Sequence, residues 1–381
     1  MALRLYESLR GRSVAGTLAA AWLVTCAIPA GAAESPDQVR GWQETWAKTV
    51  AAGKQEGSIV LVVPASQTGR DYLQREWPKA YPDIKLELNT VQGNIWVQRV
   101  KTERSAGKYL WDAALTGSVV CYRMKDSGLL DPIQPELIHP DVKSPATWGS
   151  WEEAFFDNEH KYVFATRGFL KMPFYNAKLL APEKVKQLGT KVFLDPALKG
   201  KVIWHDPLIS GSGESFAPVF RRLLGDDGLT TFVQQQVVFN ANMLDVVDKM
   251  ARGQFTVGMG PVMTNLLKRY EKAGVDLDIR PLGNTPEFAA YGNTGGSNLI
   301  VVKDRPHPNA LRVFLNWFLS KPVALEFAKA MGEDSRRTDA ASVSPPDQAR
   351  VPGVKYYEPQ REEFEPDLQD AHKVIRAARK M

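Results

Sequence analysis

Between residues 58 and 131 short, continuous apolar runs alternate with longer stretches in which apolar positions recur every three to four residues. Ser58, Ile59, Val60, Leu61, Val62 and Val63 form the first run, β-branched and unbroken, as in a strand covered on both faces. It stops at Pro64, Ala65, Ser66, Gln67, Thr68 and Gly69, and a helical pattern then runs to Trp77 and ends at Pro78. Residues 85–90 predict the next strand, and 95–105 a helix closed by Gly107. Residues 111–115 predict a third strand, which breaks at Thr116, Gly117 and Ser118 before a helical stretch stopped by Gly128. Strands alternating with helices imply an α/β layer with parallel pairing.

Residues 131–157, rich in Pro and Trp without a period, predict an irregular surface excursion. Strand character resumes over 162–169 and leads to Pro173, Phe174, Tyr175 and Asn176. A second α/β set follows: helix 182–189, strand 201–204, helix 216–224, helix 243–252, strand 254–260 and helix 262–273. Bends at 279–283 and 291–296 precede an apolar strand, 298–302, and helices 308–319 and 323–331, the first opened by Pro308. The polar tail ends in a charged helical segment, 368–380. There is no internal repeat.

Ser210, Gly211, Ser212, Gly213, Glu214 and Ser215 lie between strand 201–204 and helix 216–224. A strand, a small-residue turn and a helix in that order leave hydroxyls and unpaired N–H groups at the positive end of a helix, an anion-binding geometry. The plainer reading is equally open: Ser212 or Ser215 caps the helix and glycine permits the turn. In parallel sheets ligands bind beyond the carboxyl ends of the strands. Ser66, Thr68, Thr116 and Ser118 recur at such ends, each also an ordinary turn or cap residue. Asn242, at a helix start, and Tyr291 complete the candidate contacts. Arg167 is either a ligand contact or half of a structural ion pair.

The 381 residues suffice for two or three domains, and 44% hydrophobic with 24% charged residues are globular values. The N-terminus predicts an export leader: Arg4, Arg10 and Arg12 precede an apolar segment, 14–28, that ends at Ala30, Gly31 and Ala32. Cys26 follows Leu23, Val24 and Thr25, a sequence close to a lipoprotein box but with Thr25 where a smaller residue is usual. Removing 1–32 takes three arginines and one glutamate, so the net charge of +5 falls by two to +3. That mild excess, without a basic stripe, excludes nucleic acid as the expected partner. Cys121 is then the only cysteine, expected as a buried small hydrophobe in an exported chain without an internal disulfide.

The order of features resembles the exported solute-binding proteins of ABC importers, in the group of ferric-ion, hexose-phosphate and phosphonate binding proteins. The residues that carry the resemblance are Asp112, Ala113 and Ala114 before Thr116, Gly117 and Ser118, then Tyr175 and Asn176, then Leu198 to Val202 before the Ser/Gly turn. Ala251 to Gly258 continue it, and Pro306, His307, Pro308, Asn309 and Ala310 lead into Phe314 to Ser320. The resemblance implies an α/β, two-lobed periplasmic binding protein fold of type II, the lobes joined by crossing strands near 166–176 and 280–296. It implies a signal peptide over 1–32, a first lobe over 33–166, a second over 167–284, and over 285–381 a return to the first lobe with C-terminal helices. The implied function is capture of a small solute for an ABC permease in the inner membrane by a periplasmic, monomeric protein without a cofactor.

In the iron-binding branch an adjacent tyrosine pair follows the strand that corresponds to 254–260. Here Pro261, Val262, Met263, Thr264 and Asn265 stand instead, and Tyr356 with Tyr357 lies in the tail. Iron is therefore the alternative and an organic phosphate, phosphonate or carboxylate the expectation, with no metal site. The enzyme alternative is an exported serine hydrolase: Gly213, Glu214, Ser215, Phe216 and Ala217 approach a nucleophile elbow, with His307 and His372 downstream. His307 lies between two prolines, and His372 is expected on a solvated helix. No H-E-x-x-H, paired-cysteine or phosphate-loop motif is present.

Overall fold

The computed structural model describes residues 36–209, 212–260, 263–292 and 296–380, so the expected leader and Ser210 lie outside the described residues. The chain begins with α1 (Pro36–Glu56), β1 (Ser58–Val62), α2 (Gln67–Ala80), β2 (Lys85–Asn89), α3 (Gly93–Ser105), β3 (Ala113–Thr116), α4 (Ser118–Asp126) and β4 (Leu130–Asp131). Two short helices, α5 (Pro140–Lys143) and α6 (Trp151–Ala154), precede β5 (Phe164–Ala165), β6 (Arg167–Lys171) and β7 (Phe174–Asn176). Then come α7 (Pro182–Leu188), β8 (Val202–His205), α8 (Phe216–Gln234), β9 (Val238–Asn240), α9 (Met243–Ala251), β10 (Val257–Met259) and α10 (Met263–Lys272). The last elements are β11 (Ile279–Pro281), β12 (Ala290–Gly292), β13 (Asn298–Val302), α11 (Pro308–Phe318), α12 (Lys321–Met331), β14 (Asp334–Ser335) and α13 (Glu365–Ala378).

The strands make two sheets and a ribbon, all within the unit Trp42–Met381. The first sheet runs β2-β1-β3-β13-β4, with β5 also on β13. Its β1 is parallel to β2 and β3, whereas β13 enters antiparallel, Ile300 opposite Ala114. The second runs β11-β7-β10-β8-β9, with β10, β8 and β9 parallel and β7 antiparallel. The ribbon is β12-β6-β14, antiparallel throughout. The polypeptide therefore leaves the first sheet at β5, passes through β6 and enters the second at β7. It returns from β11 through β12 to β13.

Strand alternation sorts each sheet onto two cores. Ile59 and Leu61 of β1, with Val63 just after it, face the core that holds Phe314 and Trp77, while Val62 faces the one that holds Trp96 and Cys121. On β8, Val202 and Trp204 join the α8 core, and Ile203 joins Val246 and Met250 of α9. Burying each such large side chain stabilises by roughly 1.5–3 kcal/mol. Cys121 is fully buried, and burial pushes its thiol pKa up, as suits packing rather than reactivity.

Three expectations change. Pro78 lies inside the last turn of α2 and does not end it at Trp77: the helix is held by fully buried Trp77, whose ring N–H donates to Ile84 O at 2.7 Å. The excursion 131–157 is not a surface feature alone, because Val142, Trp148 and Phe155 are buried in the first core. The span 285–381 is divided: α11 and α12 pack in the first core, whereas Ala371 and Ile375 of α13 are fully buried against α8 in the second. His372 is accordingly buried and not solvated. Among the described residues no helix is long and apolar enough to cross a membrane.

Candidate functional site

The turn after β8 is built on His205. Gly213 N–H donates to His205 Nδ1 at 3.1 Å, and the Ser212 hydroxyl lies 2.9 Å from the same nitrogen. A backbone N–H can only donate, so Nδ1 accepts and the ring is neutral with its proton on Nε2. Burial holds the His205 pKa below its ordinary value, in agreement with that state. The Trp204 indole N–H fixes the next carbonyl, donating to Gly213 O at 3.1 Å. Gly213 has no alternative here, since a Cβ would run into the His205 carbonyl. Gly260, at the end of β10, packs against the same place with φ 116°, where a Cβ would lie 2.6 Å from His205 Cβ and 3.4 Å from Gly213 Cα.

Ser215 precedes α8 at the cap position but makes no side-chain cap bond, its backbone being already helical at φ −67° and ψ −11°. Its hydroxyl accepts from Lys171 Nζ at 2.9 Å and donates to Ser212 O at 3.4 Å. Lys171 is 4% exposed, and burial lowers its pKa to about 8, with the Glu333 and Glu214 carboxylates acting in the opposite sense. The expected row of free N–H groups is not what the helix start offers. Phe216 N–H and Ala217 N–H are spent on Gly213 O and Glu214 O, and residue 218 is proline. What this end of α8 offers a negative charge is therefore the ammonium and the helix dipole, since the Ser212 and Ser215 hydroxyl protons are directed to His205 Nδ1 and Ser212 O.

Arg167, Phe169 and Lys171 share one face of β6 by strand parity, and the two cations have different partners. Arg167, 2% exposed, is paired with Glu333 at 3.5 Å, donates to Thr166 Oγ1 and Gly296 O at 3.3 Å each, and lies 4.5 Å over the Phe327 ring. Ser297 Oγ donates to the same Glu333 oxygen at 2.8 Å. The ion-pair alternative for Arg167 is thus the one the structure takes.

The other candidates are distributed around these groups. Ser66 caps α2, accepting from Gly69 N–H at 3.3 Å, and with Arg167, Gly296 and Met331 lines a cavity of about 10 Å³, the size of one water. Thr68 is exposed in the first turn of α2. Thr116 ends β3 opposite Asn298, whose amide donates to Ser118 Oγ at 2.9 Å. Asn242, exposed, caps α9 through Leu244 N–H and Asp245 N–H. Tyr291 is 1% exposed within the ribbon and lines a separate cavity beside Arg336 and Arg350. The turn thus gathers Ser212, Gly213 and Ser215 with His205 and Lys171, and leaves Asn242 as a cap and Tyr291 elsewhere.

Lys171 and Glu333 are absent from the sequence reading. The available signal was the pair of cations four residues apart in an otherwise apolar strand, whose interior location the pattern does not reveal. The Ser215 hydroxyl bonds Lys171 and Ser212 O, and among the described residues it has no hydrogen bond to either downstream histidine. His307 Nδ1 lies 2.9 Å from Asp112 Oδ2 and its Nε2 lies 3.0 Å from Ser58 Oγ, tying the start of α11 to β1 and to the residue ahead of β3. Among the described residues no three His, Cys, Asp or Glu side chains converge in a way that could hold a metal ion. Tyr356 donates to Asn284 O at 2.5 Å and Tyr357 to Asp367 at 2.9 Å, so both tail phenols are engaged internally.

Residues 64–324 match the family described as bacterial extracellular solute-binding protein. No curated protein matches the chain in sequence. Iron-bound HitA from Pseudomonas aeruginosa is similar in structure, with a TM-score of 0.59 at 14% identity over 84% of this chain and 99% of its own. AfuA from Actinobacillus pleuropneumoniae, with fructose-6-phosphate bound, gives 0.53 at 18% identity over 84% and 97%. The spermidine/putrescine substrate-binding protein PotD from Streptococcus pneumoniae gives 0.59 at 15% identity over 84% and 99%. At these identities the likeness is one of fold.

Proposed function

The chain belongs to the bacterial extracellular solute-binding proteins, and on that premise we propose that it captures a small anionic solute, an organic phosphate, phosphonate or carboxylate, for an ABC permease. Its fold is the two-lobed, type II one of that group, and it is a binding protein, not an enzyme. The observation that carries the reading is the buried Lys171 ammonium donating to Ser215 Oγ at the positive end of α8. A buried cation beside a helix N-terminus is unfavourable alone and favourable once a negative group lies against both. The same charge repels a polyamine or a bare metal cation.

The solute enters between the lobes, and closure brings Lys171, Ser212 and Ser215 of one wall towards Ser66, Thr68, Thr116 and Ser118 of the other. Ligand shifts the balance to the closed form because only that form contacts it from both sides. The N-terminal segment 1–32 exports the protein to the periplasm, where it works as a monomer. Ferric iron is the weaker reading, since no tyrosine pair follows β10 and both tail phenols are engaged. Replacing both Ser212 and Ser215 by Ala tests the site: affinity for the anionic solute should fall while the fold persists, because Ser215 makes no cap bond. Unchanged affinity would remove the turn from the site.

A further inference from the structure

A second cavity, of about 170 Å³, lies against the ribbon and is lined by Tyr291 of β12, Arg336, Arg337 and Arg350 of the arm that follows β14, and Glu153. We infer that it is a binding site for a small oxyanion of the sulfate, phosphate or simple carboxylate class, recognised by the guanidinium groups of Arg336 and Arg350. The site is separate from the turn at Ser212 to Ser215, and the inference does not depend on which solute the lobes capture.

The guanidinium groups of Arg336 and Arg350 meet on one ring, that of Tyr291. The Arg336 side chain is 7% exposed and held in place by a 2.7 Å bond from Nη2 to Glu358 Oε1, while its buried Nη1 has no hydrogen-bond partner among the described residues. Burying a charged donor without a partner is costly, and a bound acceptor removes that cost. Arg350 lies 4.3 Å over the Tyr291 ring, on which Arg336 also rests at 4.8 Å, and makes no ion pair among the described residues. The ring attracts both cations, but the cations repel each other unless an anion lies between their donors.

The neighbouring charges are accounted for. Arg337 is neutralised by Asp339 at 2.9 Å, with Leu319 O as a further acceptor. Asp334 accepts from Val343 N–H, Ser344 N–H and Ser342 Oγ, and so is turned to its own loop. Glu153, exposed at the rim, is the carboxylate that competes with an incoming anion for these cations. A volume of about 170 Å³ is well below the roughly 300–1,000 Å³ of sites for drug-sized molecules, and fits an ion or a very small acid.

Calorimetric titration of the mature protein with sodium sulfate tests the inference, in wild type and in the variants Lys171→Met, Arg350→Ala, Arg350→Lys and Glu153→Gln. Sulfate binding that survives Lys171→Met, weakens at least about tenfold in Arg350→Ala, weakens less in Arg350→Lys and tightens in Glu153→Gln is the expected result. Arg350 and Glu153 are exposed, so neither change endangers the fold. Identical isotherms for wild type and Arg350→Ala, or sulfate binding that vanishes with Lys171→Met or is absent from wild type, would overturn it.

Discussion

Lys171 Nζ and Ser215 Oγ, 44 residues apart in sequence, meet at 2.9 Å where the ribbon passes the start of α8. The ammonium belongs to the strand that leads from the first sheet to the second, and the hydroxyl to the turn that follows β8. One bond therefore joins the linking strand to the Ser/Gly turn, and a ligand that engaged Lys171 would act on both.

Lys171→Met should separate binding from stability. Loss of a charge-assisted bond to an anionic solute costs about 1.5–3 kcal/mol, or roughly 10- to 150-fold in affinity. The ligand-free protein should unfold at the same temperature or a higher one, because a desolvated charge has been replaced by an apolar chain of similar length. Titration calorimetry and thermal unfolding of the same preparation check both outcomes.

The pH dependence of Lys171 has opposite signs for the two quantities. The unfolded lysine titrates near 10.5 and the folded one near 8, so between those values the unfolded chain binds more protons and ligand-free stability rises with pH. Affinity for an anion falls over the same interval, as the ammonium is lost. Denaturant melts and solute titrations at pH 7, 8, 9 and 10 should show the two trends crossing, and Lys171→Met should flatten both.

Gly213→Ala should damage fold and site together. The added carbon meets the carbonyl of His205, a backbone group that cannot rotate away, so the turn must open. Overpacking costs roughly 1–3 kcal/mol, and a rigid neighbour puts this change at the upper end. A denaturant midpoint equal to wild type would show that the approach of Gly213 to β8 is looser than described.

Acid should weaken the protein through its buried imidazoles. Burial lowers the pKa of His139, His205 and His372 below 6.5, so these rings are neutral in the fold and take up protons more readily when unfolded. Their contribution to stability is complete above pH 6.5 and is lost as pH falls from 6.5 to the depressed values. For His205 the loss includes the turn, since protonated Nδ1 cannot accept from Gly213 N–H. His205→Gln, compared with wild type in melts from pH 7 to pH 5, should remove part of that slope.

Local pattern carried most of the fold and, of the candidate site, the Ser/Gly turn but not Lys171. The runs at Ile59 to Val63 and Val202 to Trp204 announce their strands because burial on both faces demands continuous apolar character, and the Ser/Gly turn is visible because it interrupts such a run before a helix. Lys171 was hidden for the same reason: in a buried strand a charge is an exception whose partner, Ser215, lies 44 residues on, beyond any local period. Glu333, paired with Arg167 from 166 positions away, is beyond any local period. The free helix N–H groups were over-predicted because Phe216 and Ala217 close tight turns and Pro218 donates nothing. Tyr291 looks like a cleft aromatic in sequence, but two arginines of the later arm cover its ring.

The solute proposed for this protein is an anion held against Lys171 and Ser215. Thermal-shift measurement of the mature protein against organic phosphates, phosphonates, carboxylates, neutral sugars and ferric iron, with mass spectrometry of the released ligand, tests it most directly. At about 100 times its dissociation constant a true ligand adds about 2.7 kcal/mol to stability. A shift from one anionic class, with the compound recovered unchanged and the shift greatly reduced in Lys171→Met, is the predicted result. A shift from ferric iron or a neutral sugar alone, or one from an anion that persists in full in Lys171→Met, would contradict it.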